Sequence, residues 1–221
     1  MIFVEAVVVI FVIAILVLMI LLAIINPPHD HRAHSYCINN LKQLGLAYRI
    51  WEGDNRDKYP MELSVTNGGT MELLGGPDAW KTFQVMSNEL STPKILFCPQ
   101  DSEHARCATN FGDDLKNKIS YFIGLDASEA NPNLLMSGDD HFLVNKAPVK
   151  PGLLEMTANT SIAWRTNRHV SVETHAWVFK KVTGVWGNIL LADGSVQVVS
   201  NSGLTNWLQK TGPTTTRLAI P

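Results

Sequence analysis

Twenty consecutive apolar residues, Ala6 to Ile25, stand near the start of this chain, and Met1 to Val4 ahead of them are apolar as well. Only Glu5 interrupts the run. At about 1.5 Å of rise per residue, a helix of roughly 25 residues reaches about 38 Å, beyond the ~30 Å hydrocarbon core of a bilayer. Such a segment is expected to spend time in a membrane. It does not read as a cleaved secretory signal: no Lys or Arg precedes Arg32, the run is too long, and it ends in Asn26-Pro27-Pro28. An ordinary anchor carries Lys or Arg on its cytoplasmic side. The expectation is therefore that a basic leader has been removed and that Met1 is the mature N-terminus.

Glu5 narrows the reading further. An ionisable group inside a membrane segment costs on the order of 2.5–3.5 kcal/mol, so it persists with a partner or a function. The natural partner is a free α-amino group, and a neighbouring chain staggered along an axis presents its Met1 amine better than the same chain does. Met1 and Glu5 are the expected assembly residues.

The sequence Met1-Ile-Phe-Val-Glu5-Ala-Val-Val-Val-Ile-Phe-Val-Ile-Ala-Ile-Leu16 resembles the start of type IV pilins and type II secretion pseudopilins. Further segments resemble a subgroup close to the major pseudopilin: Cys37-Ile-Asn-Asn-Leu-Lys-Gln-Leu-Gly-Leu-Ala47, Asp54-Asn55, Tyr59-Pro60, Leu96-Phe-Cys-Pro99, Ser120 to Asp126, Gly187 to Gln197 and Arg217 to Pro221. The resemblance implies an α+β, pilin-like fold, in which a long N-terminal helix precedes an antiparallel β-sheet head. It implies a non-enzymatic structural subunit with a methylated N-terminus that polymerises into a homo-oligomeric helical filament, either a type IV pilus or a pseudopilus. It also implies insertion in the inner membrane before assembly, contact with the pilus or secretion machinery, and a final place at the cell surface or in the periplasm. The alternative is a membrane-anchored extracytoplasmic binding module, or a minor pseudopilin, that forms no long filament. Two departures stand out. Leu22 replaces a proline common in pilins, and Thr183 occupies the position, ten residues before Asp193-Gly194, where related heads often carry a histidine.

Two regions follow: a hydrophobic transmembrane or filament-core helix over 1–27, and a globular head over 28–221. Ala33, Cys37, Leu41, Leu44, Tyr48 and Trp51 recur at helical spacing and predict an amphipathic helix over 28–53 with one core-facing stripe. Asn26 and Pro27 read as a cap and first-turn proline, which predicts a break between the helices near 26–28. A short helix is predicted over 78–90 and another over 204–209. Strands are predicted over 95–98, 119–125, 134–136, 162–165, 177–180 and 217–220. Asn188–Ala192 and Ser195–Val199 form a hairpin pattern around Asp193-Gly194, a pair suited to a type I′ turn. The layout expected is a helix packed on an antiparallel sheet, with loops over the far face.

Candidate chemistry is sparse. A formal net charge of −2 and scattered basic residues do not suit nucleic-acid binding. Nucleophile-elbow, zinc-protease, phosphate-loop and haem-attachment motifs are missing from the sequence. His29, Asp30, His31 and His34 are the densest run of metal-ligand types, but they lack a convincing fourth ligand, and no metal site is assigned. The loop carboxylates Asp126 to Glu129 and Asp139-Asp140-His141 are oxygen-rich, and the resemblance makes a calcium ion in a head loop conceivable. Of three cysteines, Cys98 and Cys107 bracket a short loop and are the expected disulfide. The resemblance offers Cys37 as the rival partner of Cys98, since related heads have equivalents of those two alone.

Overall fold

The computed structural model describes residues 2–25, 29–104, 106–175, 179–210 and 214–221. The chain divides into two compact units, Met1–Ala33 and His34–Pro221. In the first, α1 spans Ile2–Ile25. Its window Val4–Leu21 is long and apolar enough to cross a membrane, and it is exposed along its whole length. Asn26-Pro27-Pro28, where the break between helices is expected, and Met1, the expected assembly amine, lie outside the described residues.

Helix α2, His29–Asp54, begins in the first unit and supplies the spine of the second. From Cys37 onward the stripe behaves as its spacing predicts: Cys37, Leu41, Leu44, Ala47, Tyr48 and Trp51 are buried, while Lys42, Gln43 and Leu46 between them are exposed. The Asn55 side chain closes the C-terminal turn by donating to the Trp51 carbonyl at 2.7 Å. That satisfies one of the acceptors that a helix end leaves free.

The main sheet has seven strands in the order β5 (Gly152–Thr157), β10 (Thr215–Ile220), β1 (Tyr121–Gly124), β2 (Leu135–Asp139), β8 (Phe179–Leu191) and β7 (Val170–His175), with β9 (Val196–Ser200) also paired to β8. All its pairings are antiparallel. Strand alternation sends side chains to opposite faces, and here both faces are buried. Tyr121, Ile123, Leu190 and Ala219 join α2 in one apolar cluster, whereas Phe122, Ile189, Leu191 and Leu218 join a second. Gly45 marks the closeness of the first contact, because a Cβ there would stand 2.9 Å from Leu190 Cδ1. The far face is therefore not bare loop. A three-stranded sheet, β4 (Ala147–Pro148), β3 (Phe142–Val144) and β6 (Ile162–Trp164), together with α5 (Asn201–Lys210), covers it through Phe142, Trp164, Leu204 and Trp207.

Three local expectations need correction. Ile95–Cys98 is not a strand; Pro93–Leu96 is a 3₁₀ turn, opened by the Thr92 hydroxyl accepting from Lys94 N and by a proline in its first turn. The 78–90 segment forms two short helices, α3 (Lys81–Val85) and α4 (Ser87–Leu90), which meet at a Met86 whose backbone is no longer helical. The β8–β9 hairpin exists, but Gly194 alone has positive φ there, at 83°. Gly194 N donates to Leu191 O and Leu191 N to Ser195 O, both at 2.9 Å, which is a three-residue loop with the glycine in the left-handed position. The true two-residue primed turn is Asn145-Lys146, with φ of 51° and 68°, between β3 and β4. Of the strand expected over 177–180, residues 177 and 178 lie outside the described residues, and β8 runs from Phe179.

Candidate functional site

Asp101, Asp139, His141, Arg168 and His169, all buried, converge on one cluster, assembled from the turn after the Pro93–Leu96 helix, the ends of β1 and β2, the Arg168-His169 pair before β7, and β8. Arg168 is its hinge, with a side chain wholly shielded from solvent. Its guanidinium donates to Asp101 Oδ2 at 2.5 Å, to Asp140 Oδ1 at 2.7 Å and to the Ser120 carbonyl at 3.1 Å. Asp101 is matched on every side: Ser120 Oγ donates to it at 2.6 Å, His104 Nδ1 lies 2.6 Å away, and the Glu103 backbone N–H donates at 2.9 Å. Burial alone would raise the Asp101 carboxyl, but His104 and Arg168 hold it well below the usual carboxylate range. The same hydrogen bond, against burial, raises His104. Asp140 keeps the opposite shift, pushed up by burial despite Arg168. A buried ion network of this kind is costly to break, because any lost partner leaves a desolvated charge unmatched.

The second half of the cluster holds sulfur and imidazole. Cys37 and Cys98 form a disulfide, S–S 2.16 Å, with Cα atoms 5.0 Å apart. The expected Cys98–Cys107 pairing is thus wrong: Cys107 is a free, half-buried cysteine. The physical reason lies in packing. Cys37 sits on the buried stripe of α2, the Pro93–Leu96 turn brings Cys98 onto that stripe, and both are fully enclosed. His169 Nε2 is 3.7 Å from Cys98 Sγ, 3.1 Å from Asp139 Oδ2 and 3.1 Å from Asn188 Nδ2. Asp139 Oδ2 also accepts from the Asn188 backbone N–H at 2.7 Å. Burial would raise the Asp139 carboxyl, but the hydrogen bond and charge of His169 bring it down to about 2. His141 stacks on Trp164 at 5.1 Å, and burial pushes it down to about 3.

The residues singled out in the sequence are distributed unevenly around this cluster. Glu5 is remote in kind, exposed on α1. His29, Asp30 and His31 occupy the first turn of α2. His34, one turn further, lies against the His169 and Trp186 rings, 5.2 and 5.8 Å between centroids, and accepts from Trp186 Nε1 at 3.2 Å. The loop carboxylates do not converge on a calcium geometry. Arg217 engages both oxygens of Asp126, Arg49 engages Glu129, and Asp139 and Asp140 face His169 and Arg168. Among the described residues, the one group whose ligand atoms converge is Cys37, Cys98 and His169, all buried and mutually within 4.8 Å.

Sequence reasoning missed Arg168 and His169, and the structure shows why. Trp186 N donates to His169 O at 3.1 Å, and β7 and β8 rise from that point as a hairpin that pairs Val170 with Val185 through His175 with Phe179. No protein-family model, no curated protein and no solved structure matches this chain.

Proposed function

We propose that the chain is a membrane-anchored structural subunit that polymerises through α1 into a pilin-like filament, pilus or pseudopilus, and displays the head outward. The observation that carries this reading is α1 itself: 24 helical residues, solvent-exposed through Val4–Leu21, with one carboxylate at Glu5. A bilayer covers such a helix, and so does a bundle of copies of it. Burial at ~25 cal/mol per Å² of apolar surface is the cohesive term in either setting. The carboxylate separates the two. In a bilayer it is an unmatched cost, whereas in a bundle a cation from a neighbouring copy neutralises it and sets the axial register. The buried staple and ion network of the head suit a rigid body that is carried through assembly.

The rival reading is an anchored binding module. A cleft of about 450 Å³ lined by Met61, Glu62, Met71, Leu74, Asp126 and Arg217, among others, favours it. Its Arg217 guanidinium is already committed to Asp126, at 2.6 and 2.8 Å. Comparing wild type with Glu5→Ala by electron microscopy of surface-sheared and membrane fractions tests the choice. The filament reading expects equal membrane insertion, a folded head in both proteins, and filaments from wild type only. Filaments from neither protein return the assignment to the binding module, whereas filaments formed equally by Glu5→Ala keep the polymer and remove Glu5 as its register device.

A further inference from the structure

The Cys37–Cys98 disulfide is not an isolated staple. Around it stand groups that a staple does not need: a buried imidazole nitrogen at 3.7 Å from Cys98 Sγ, and a buried carboxylate and carboxamide on that same nitrogen. His169 Nδ1, Asp139 Oδ1 and Asn188 Oδ1 are all buried without a hydrogen-bond partner. These atoms belong to the residues that border the sulfur pair, so the polar shell beside it is only partly satisfied. The spacing matches a metal. Bonds of about 2.3 Å to sulfur and about 2.05 Å to imidazole nitrogen place two ligands on a tetrahedral ion roughly 3.6 Å apart.

We propose that, once the Cys37–Cys98 bond is reduced, the two thiolates and His169 Nε2 form a binding site for a divalent cation of the zinc class. Disulfide and metal are then alternative fastenings of α2 to the turn that follows Leu96. A dithiol reductant supplies the two electrons and two protons that convert the S–S bond into two thiols, and becomes a disulfide itself. Uptake of one M²⁺ then releases the two thiol protons, leaving a site with two thiolates and a neutral imidazole. Asp139 borders the fourth position, its Oδ2 3.1 Å from the ligating nitrogen. The ring contact with His34 holds the His169 plane. The softness of the sulfur pair favours Zn²⁺ over Ca²⁺ or Mg²⁺. This site stands whether or not the chain polymerises.

The test uses the full chain in detergent micelles with Cys107→Ser, so that only the two relevant thiols remain. After anaerobic reduction by a phosphine, which takes its oxygen from water, Co²⁺ is titrated as the spectroscopic probe and Zn²⁺ by competition with a chromophoric chelator. The expected result is one ion per reduced chain, with a thiolate-to-cobalt charge-transfer band and tetrahedral d–d bands, and no uptake by the oxidised chain. His169→Ala should weaken Zn²⁺ binding at least tenfold. His169→Cys should restore binding and intensify the charge-transfer band, a gain that a merely structural histidine would not give. A reduced chain without the charge-transfer band, equal Zn²⁺ affinity in His169→Ala, or no recovery in His169→Cys overturns the proposal.

Discussion

Helices α1 and α2 are nearly equal in length, 24 and 26 residues, and follow one another in the chain, yet they meet their surroundings in opposite ways. α1 is apolar on every side and exposed from Val4 to Leu21. α2 is apolar along one stripe, and from Cys37 on that stripe is buried in the core of the head, against the 59–119 segment and one face of the sheet. An all-round apolar helix has no face suited to water, and α1 is long and apolar enough for a membrane to cover it. A one-sided helix finds its partner within its own fold. The first helix should therefore determine where the protein resides, and the second whether the head folds.

Deleting residues 1–28 separates these roles and should have the largest effect. The remaining head is expected to leave the membrane fraction completely and to run as a soluble monomer by light scattering. A truncated head that still sediments with membranes, or that polymerises, would place cohesion outside α1. Next in size is the buried ion network. Arg168→Met removes the guanidinium that bridges Asp101 and Asp140, and should cost about 3–5 kcal/mol by chemical denaturation. A loss below about 1 kcal/mol would mean that water reaches those carboxylates. On the helix stripe, Leu44→Ala should cost about 2–5 kcal/mol of head stability, while Leu16→Ala on α1 should leave the head's unfolding midpoint unchanged.

Much of this contrast was legible in the sequence, and the reasons are local. The α1 run is a composition signal, and the α2 stripe is a period-3.6 signal; both survive any tertiary context. Asp193-Gly194 marked its hairpin correctly, because a glycine with positive φ is needed in either turn type, but it did not distinguish the type I′ turn from the three-residue loop that forms. The Asn145-Lys146 turn carried no glycine to announce it. Cysteine pairing failed because loop closure favours near neighbours in sequence, whereas packing placed Cys98 against a residue 61 positions away. The buried cluster was least visible. Arg168 and His169 look like surface residues until the β7–β8 hairpin folds them inward, and Asp139-Asp140 reads as turn chemistry until the pair splits between two partners.

Acid titration sharpens the comparison on the head side. His141 is buried and its folded pKa is pushed down to about 3, from an ordinary value near ~6.5. Between those values the unfolded chain binds a proton that the folded head refuses. The His141 contribution is therefore complete above pH ~6.5 and is lost as pH falls toward 3. His104 has the opposite sign: raised by Asp101, its contribution is full below pH ~6.5 and fades as pH rises through its folded value. Head stability measured against pH should fall on acidification between about 6.5 and 3, and His141→Gln should flatten that limb. An unchanged slope in His141→Gln would mean that the ring is hydrated or already charged.

The smallest expected effect is the one that joins the two helices in a single comparison. Leu46 lies two positions beyond Leu44 but faces outward, 61% exposed, and Tyr36 and Ile50 on the same helix are also exposed, at 59% and 46%. In an isolated head these residues touch water, as α1 does, and substitutions away from packed contacts stay within about 0.5 kcal/mol. Leu46→Ser should therefore leave the denaturation midpoint of the full chain in micelles essentially where it was, against the large shift of Leu44→Ala. Both substitutions strip a leucine from the same helix, on opposite sides of it. If Leu46→Ser matches Leu44→Ala, the outward side of α2 is covered in the single chain and the contrast with α1 collapses. If it leaves stability alone but lowers the yield of the filament proposed above, the outward side of α2 takes part in that proposed assembly.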